Sequence, residues 1–256
     1  MKKDSASYTI LVATALCLVC SIIVSAAAVG LRPLQEANKI EDRKRNILSV
    51  VGLLQEGQSV EEAFKQVEIA LVDLETGQYN TELDAATYDQ NKSSDDPALS
   101  TKLTSKQDIA GIGSRANAAT VYLVRNQDQS VRYIILPVHG YGLWSTLYGF
   151  LALEGDANTV AGLSFYDHAE TPGLGGEVDN PDWKALWPGK IAFNAAGEAK
   201  LGLVKGAIDT SKPEAVHQVD SLSGATLTSR GVTNLIHFWL GSDGFGTYLK
   251  RLQAEG

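Results

Sequence analysis

The run ATVYLVRNQDQSVRYIILPVHGYGLWSTLYGFLALEGDANTVAGLSFYD, residues 119–167, decides the fold class. It contains four segments rich in β-branched, aromatic and aliphatic residues, separated by polar or glycine-containing turns: 119–125, 131–138, 147–154 and 159–167. This spacing is typical of strands that follow one another through hairpin connections, because each turn reverses the chain. The run therefore predicts a curved, mainly antiparallel sheet.

Other periodic segments flank these strands and predict an α+β domain. They are a capped helix at 59–67, a strand at 69–74, a short helix at 180–187, strands at 201–208 and 216–219, a helix at 228–240 and a terminal turn or helix at 244–252. Segment 84–115 is rich in Ser, Thr, Asn, Asp, Lys and Gly, which predicts a surface excursion. Since no repeat emerges, we expect one domain with helices beside the sheet.

The N-terminus differs in composition from the rest of the chain. Residues 9–29 carry no charge and are long enough for a helix to cross a hydrocarbon layer of roughly 30 Å. A cleaved secretory signal is the alternative, because Lys2 and Lys3 resemble its basic region and 26–28 resembles a cleavage site. The length of the apolar run favours the anchor. We expect a short N-terminal segment (1–8), a transmembrane helix (9–29), an amphipathic stalk helix (30–58) and a globular domain (59–256).

Charge does not decide on which side of the membrane the domain lies. Two lysines precede the apolar run, whereas five basic residues follow it between positions 32 and 45. That count favours a cytoplasmic domain. Long domains, however, translocate with less regard for charge, and the short basic N-terminus resembles that of an exported chain. The sequence leaves both sides open.

Charge and cysteine content exclude some kinds of site. A net charge of −8 and a pI near 5.0 argue against a nucleic-acid partner, which requires clustered basic residues. Cys17 and Cys20 both lie in the apolar run, and two thiols do not supply the four ligands of an iron–sulfur or structural zinc site. We therefore expect no metal site and no disulfide in the globular domain.

The segment DSLSGATLTS, residues 220–229, is where ligand chemistry is predicted. Hydroxyls, a flexible glycine and the start of a helix together favour a phosphate, because free N–H groups and the helix dipole attract an anion. The residues alone favour a simpler interpretation, in which Ser and Thr cap the helix. Neither a Walker lysine nor a G-x-G-x-x-G pattern is present to support other nucleotide sites.

Three segments together resemble a known family. DSLSGAT (220–226) is similar to the D-x-x-S/T-G-A-T signal at which a flavin transferase attaches FMN to threonine. HGYGLWS (139–145) and ETPGLGG (170–176) resemble the other hallmark segments of the FMN-binding domain in the C subunit of the Na+-translocating NADH:quinone oxidoreductase. Chain length and the single anchor agree, so the resemblance covers essentially the whole chain.

The resemblance implies that Thr226 carries FMN through a phosphodiester. A separate transferase would recognise Asp220 and use FAD, releasing AMP, so the chain needs no catalytic residues of its own. The expected flavin contacts, in 139–229, are Trp144, Thr171, Leu174, Lys205, Gly142, Ser145, Gly175, Ser223, Gly224, Ala225, Leu227 and Thr228. Without the resemblance, Trp144 and Leu174 would be interpreted as core residues and Lys205 as a solvated surface residue.

The implied function is electron relay in the bacterial inner membrane. Electrons would pass from a metal centre on small membrane subunits, through this flavin, to a flavin on the large membrane subunit of a complex with six subunits. That complex couples NADH-to-ubiquinone electron transfer to Na+ export, and the flavin transferase acts in the periplasm in related systems, which predicts a periplasmic domain.

Two alternatives remain open from the sequence. One is the G subunit of the related Rnf electron-transport complex, which has the same threonine-linked FMN but is expected to be shorter. The other is a membrane-tethered binding module without flavin, in which SGAT is only a helix cap. The stalk, the excursion at 84–115 and the HGYGLWS segment favour the sodium pump.

Overall fold

The computed structural model describes residues 6–55, 57–206 and 208–255, in two compact units divided between Arg43 and Lys44. Helix α1 spans Ala6–Ser49, and it is long and apolar enough to cross a membrane. Apolar side chains between Ile10 and Leu31 are exposed, as a lipid-facing helix requires. The helical part of the predicted stalk ends at Ser49, and the last residues of α1 belong to the second unit.

The second unit is built on nine strands and five further helices. The strands are β1 (Val67–Asp73), β2 (Ser100–Lys102), β3 (Ser114–Ala116), β4 (Ala118–Arg125), β5 (Val131–Tyr141), β6 (Thr146–Glu154), β7 (Val160–Asp167), β8 (Gly202–Val204) and β9 (Gln218–Asp220) among the described residues. The helices are α2 (Val60–Phe64), α3 (Gln90–Asp95), α4 (Pro181–Lys184), α5 (Thr226–Leu240) and α6 (Gly246–Glu255), with 3-10 turns at Gly175–Asp179 and Pro213–His217.

The main sheet has the strand order β1-β4-β5-β6-β7, and every neighbouring pair is antiparallel. Register shifts interrupt the β4–β5 and β6–β7 pairs, and such bulges increase twist and bend the strands. The sheet is not closed into a barrel. The predicted α+β class and the four predicted consecutive strands are confirmed.

Both faces of the sheet are covered, because neighbouring residues in a strand point to opposite sides. Ile134 lies in the core cluster that includes Leu235 of α5, whereas Ile135 lies in a second cluster with Ile47 and Leu48 of α1. Burial of aliphatic side chains on both faces excludes water from the sheet and fixes its register. Helix α5 is thereby held against β5 on one face.

Several predicted element boundaries were wrong. The helix predicted at 180–187 ends at Lys184, and the helix predicted from Thr228 begins at Thr226. The strand predicted at 201–208 covers 202–204, because the chain bends at Gly206, whose φ of +97° does not continue a strand; Ala207 lies outside the described residues. The predicted strand at 216–219 starts only at Gln218, since a 3-10 turn precedes it.

The predicted excursion at 84–115 is folded against the domain. It contains α3 and the two-stranded β2–β3 sheet. Its Tyr88 hydroxyl donates to the carbonyl of Ala118 over 2.7 Å, and the Ala110 carbonyl accepts a 2.7 Å hydrogen bond from the N–H of Tyr141. The excursion therefore supports the end of β5, where the segment 139–145 begins.

Candidate functional site

Segments 139–145, 170–176 and 220–226 converge at the N-terminal end of α5. Gly231, one turn into this helix, permits the approach: a Cβ there would lie 2.5 Å from the carbonyl oxygen of Tyr141 and 2.9 Å from the Cα of Gly142. A larger residue would push α5 away from the end of β5. The close contact brings the HGYGLWS segment beside the first turn of α5.

The carboxylate of Glu170 joins segments 139–145 and 170–176 to the first turn of α5. Its Oε1 accepts hydrogen bonds from the backbone N–H groups of Leu143 (3.0 Å), Trp144 (2.9 Å) and Ser145 (3.3 Å). Its Oε2 accepts a 2.7 Å hydrogen bond from the hydroxyl of Thr228 in α5. Burial by itself raises the pKa of this carboxyl, but the four hydrogen bonds outweigh burial and hold the pKa below its usual value. Glu170 is therefore a buried anion at neutral pH.

Two glycines make room for this carboxylate. A Cβ at Gly142 would lie 2.6 Å from Oε1 of Glu170, and a Cβ at Gly175 would lie 2.6 Å from Oε2. Ser145 also connects segment 139–145 to the chain just before Glu170, since its hydroxyl accepts a 2.7 Å hydrogen bond from the N–H of Ala169. The glycines of the two loops are thus required by packing around Glu170 as well as by any ligand.

Large apolar side chains are exposed on the joined segments. Trp144 is 66% exposed, Leu227 is 50% exposed and Leu174 is 44% exposed. Leu174 lies over the backbone of Gly224, where an added Cβ would lie 3.0 Å from a Leu174 methyl carbon. Apolar groups of this size, grouped on two loops and on the first turn of α5, suit the face of a planar aromatic ligand.

The hydroxyls of segment 220–229 have different environments. Thr228 is fully buried and bound to the carboxylate described above, and Ser229 is buried with hydrogen bonds to backbone groups. Ser221 is half-buried. Ser223 and Thr226 are exposed, and neither hydroxyl has a hydrogen-bond partner within the described parts of the chain. The exposed hydroxyls of this segment are therefore those of Ser223, which precedes α5, and Thr226.

Helix α5 begins without a capping side chain. Its N-cap is Ala225, and no described residue accepts a hydrogen bond from the backbone N–H groups of Thr226, Leu227 and Thr228. Thr226 occupies the first helical position, not the position before the helix that the sequence predicted. Free N–H groups at the positive end of a 15-residue helix favour a phosphate beside Thr226. The interpretation of SGAT as only a helix cap is not supported by this geometry.

Lys205 and Asp220 emerge at the same end of the parallel β8–β9 pair. Val204 pairs with Asp220, and its carbonyl accepts a 3.0 Å hydrogen bond from the N–H of Ser221. Lys205 follows directly and is exposed, as is Asp220, whose carbonyl accepts a 2.9 Å bond from the indole N–H of Trp183. The pairing places one cation beside the segment that leads to Thr226.

The predicted contacts fall into three groups by exposure. The exposed ones are Trp144, Thr171, Leu174, Lys205, Ser223, Gly224, Thr226 and Leu227; the half-buried ones are Gly142 and Ser145; the buried ones are Gly175, Ala225 and Thr228. The buried residues do not present side chains at the surface. They belong to the support of the site.

The sequence interpretation missed the role of Glu170, whereas His168 is the hydrogen-bonded structural histidine that its place beside the loops predicts. His168 accepts a 3.2 Å hydrogen bond at Nδ1 from the N–H of Glu170, and its Nε2 lies 2.9 Å from Oδ2 of Asp179. The ring therefore carries its proton on Nε2 and fixes the chain at Glu170. The sequence feature that could have indicated this role is the position of Glu170, a charged residue, as the first residue of the ETPGLGG segment.

Comparison with known proteins shows the family. A family model described as an FMN-binding domain matches residues 142–241. The C subunit of the Na(+)-translocating NADH-quinone reductase (NqrC) of Pseudomonas aeruginosa is 51% identical over 255 residues, covering 98% of this chain and 97% of the relative. This chain belongs to the NqrC family. The Vibrio vulnificus member is 50% identical, with 99% and 98% of the two chains covered.

Solved structures of the family agree with the fold. NqrC of Shewanella oneidensis has a TM-score of 0.77 and 35% identity, covering 85% of this chain and 99% of that one. The NqrC structure from Parabacteroides distasonis has a TM-score of 0.65 and 27% identity, covering 86% and 96%. The predicted family is confirmed, and the Rnf alternative is not favoured.

Proposed function

We propose that this chain is an FMN-carrying electron-transfer subunit of a Na+-translocating NADH-quinone reductase and that Thr226 holds the FMN through a phosphodiester. Its relatives are the C subunits of that reductase, and the matched domain is described as FMN-binding. The observation that carries the residue assignment is the exposed, unpartnered Thr226 hydroxyl at the uncapped start of α5, among the described residues.

The residues present fit a flavin mononucleotide. The free N–H groups at the start of α5 suit its phosphate, and exposed Trp144 and Leu174 suit an apolar ring. FMN supplies the capacity to accept and release electrons. Thr226 would anchor the FMN, and Trp144 and Leu174 would shield its ring from water. The Lys205 ammonium would favour added negative charge on the ring. No proton-transfer residue is required for that relay.

The relay is proposed to run between redox centres of partner subunits. The domain would receive electrons from one partner and deliver them to another in a complex of six subunits, which exports Na+ as NADH reduces ubiquinone. This chain alone would not complete the reaction. The exposed Trp144, Leu174 and Leu227 would then make a flavin site that partners can approach from solvent.

A flavin transferase is the proposed partner during maturation, and it would recognise Asp220. Because Asp220 is exposed, Asp220→Asn should leave the domain folded, as circular dichroism would show, and lower covalent flavin incorporation. Full incorporation in the variant would remove Asp220 from recognition.

We propose a single membrane-spanning helix in the bacterial inner membrane, in contact with lipid, with the globular domain in the periplasm. A reporter that is active only in the cytoplasm, fused after Gly256, should be inactive. An active fusion would contradict the periplasmic orientation and leave the flavin assignment untouched.

Absorbance spectra and a denaturing gel viewed under ultraviolet light test the flavin proposal. The full chain, coexpressed with a flavin transferase, should be yellow and should keep a fluorescent band after denaturation. Colourless protein under these conditions would support instead a membrane-tethered binding module without a prosthetic group.

A further inference from the structure

We propose that Glu170 is the positioning residue of the flavin site: its carboxylate locks the loop that presents Trp144 to the first turn of α5. This inference rests on the proposed function. Glu170 does not lie at the surface, so it acts through the segments that it joins rather than by touching the flavin.

The loop at 143–145 depends on this one acceptor. Three consecutive backbone N–H groups point to Oε1 of Glu170, and no described residue offers those groups another acceptor. Three converging N–H groups form a concave anion site, and here a buried side chain of the same domain occupies it. A flavin phosphate is thereby kept from this loop and left to the start of α5.

The second carboxylate oxygen connects the loop to the helix that carries the proposed attachment residue. Thr228 lies two residues after Thr226 in the first turn of α5, and its hydroxyl donates to Oε2. The Glu170 carboxylate therefore fixes the backbone at the exposed Trp144 relative to the helical turn that carries the exposed Thr226. A flexible loop would leave the aromatic ring without a fixed position relative to the attachment point.

Four variants of the full chain, coexpressed with a flavin transferase, test this role. Glu170→Gln keeps the shape: its amide oxygen can accept from 143–145, and its NH2 can donate to Thr228. Glu170→Ala removes all four hydrogen bonds, and Glu170→Asp is too short to reach both partners. Asp156→Asn is the matched control, because Asp156 accepts N–H bonds from Asn158 and Thr159 in the β6–β7 turn.

Amide hydrogen exchange of residues 143–145 and the visible circular dichroism of the flavin are the readouts. In Glu170→Ala and Glu170→Asp, exchange should accelerate about tenfold or more, because the N–H groups of 143–145 are left without an acceptor within reach, and the dichroism should fall by about half. Glu170→Gln and Asp156→Asn should match the parent chain. If Glu170→Ala does not fold, the exchange and dichroism of Glu170→Asp test the positioning role.

The outcomes separate this role from the proposed function. Parent-like exchange and dichroism in Glu170→Asp, or equal losses in Glu170→Gln and Glu170→Ala, would overturn the positioning role while the FMN adduct remains on the chain. Absence of the FMN mass from the parent chain would overturn the proposed function itself, and the flavin-positioning role with it.

Discussion

The hydroxyl of Thr228 donates a 2.7 Å hydrogen bond to Oε2 of Glu170, and neither residue is more than 5% exposed. These residues are 58 positions apart, and their contact joins the first turn of α5 to the ETPGLGG segment. Because the hydroxyl is buried and already bound to a carboxylate, Thr228 is unsuited to carry a prosthetic group. Thr226, two positions earlier, is exposed at the same helix terminus.

Thr228→Val should destabilise the domain by about 1–3 kcal/mol, because a buried carboxylate oxygen loses its hydroxyl donor while the side-chain shape is kept. Equilibrium unfolding in urea gives the free energy. With both variants and the parent chain produced without a flavin transferase, Thr226→Val is the control in the same helical turn, and it should change stability by no more than about 0.5 kcal/mol, since that side chain is exposed. Equal losses in both variants would contradict the structural role of Thr228.

Lys205→Ala should make the first reduction of the flavin harder, because a cation beside the site favours the added electron. Lys205 is exposed, so the expected change is small: the midpoint potential falls by about 10–40 mV, as expected for an exposed charge contribution of about 0.2–1 kcal/mol. Spectroelectrochemical titration measures the shift, which should shrink in high salt. Lys102→Ala, on the separate β2–β3 sheet, is the control. An unchanged potential would remove Lys205 from the site.

His139 should contribute to the acid sensitivity of the fold. Burial lowers the pKa of its ring from 6.5 to about 4, and the ring packs against Tyr148 and Trp239 with centroids 5.5 and 5.0 Å away. The folded state keeps the ring neutral, whereas the unfolded chain binds a proton below pH 6.5. The contribution of His139 to stability is thus complete above pH 6.5 and declines as the pH falls towards 4.

His139→Phe keeps an aromatic ring at this position and removes the titration. The free energy of unfolding of the parent chain should therefore fall more steeply than that of the variant between pH 6.5 and 4. Urea titrations at several pH values measure both curves. Parallel curves over this range would show that His139 does not titrate differently in the folded and unfolded states.

The main sheet could be predicted from the sequence because its strands are local, apolar runs separated by turns. The cap of α2 could also be predicted, since Ser59 and Glu62 are three residues apart, and the Ser59 hydroxyl accepts the Glu62 N–H over 3.2 Å. The strand pattern and the cap can both be predicted from residues that are close together in the sequence. The short β8 strand was overestimated, because its end depends on the backbone conformation of Gly206.

The support of the site could not be predicted in the same way. Glu170 bonds to residues 25–27 positions earlier and 58 positions later, and no local pattern records such contacts. The resemblance pointed to Thr226 and Trp144, but nothing in the pattern of residues distinguishes Thr226 from Thr228 by burial. Tertiary packing makes that distinction, because Thr228 lies against Glu170 and Gly175 whereas Thr226 is exposed.

Peptide mass spectrometry of the chain coexpressed with a flavin transferase tests the central claim most directly. The FMN mass should be found on Thr226 in the parent protein and should persist in Thr228→Ala. Thr226→Ala should remain folded, because it removes only an exposed side chain, and should carry no covalent flavin. FMN on Thr228 or Ser223, or a covalent adduct surviving in folded Thr226→Ala, would contradict the assignment.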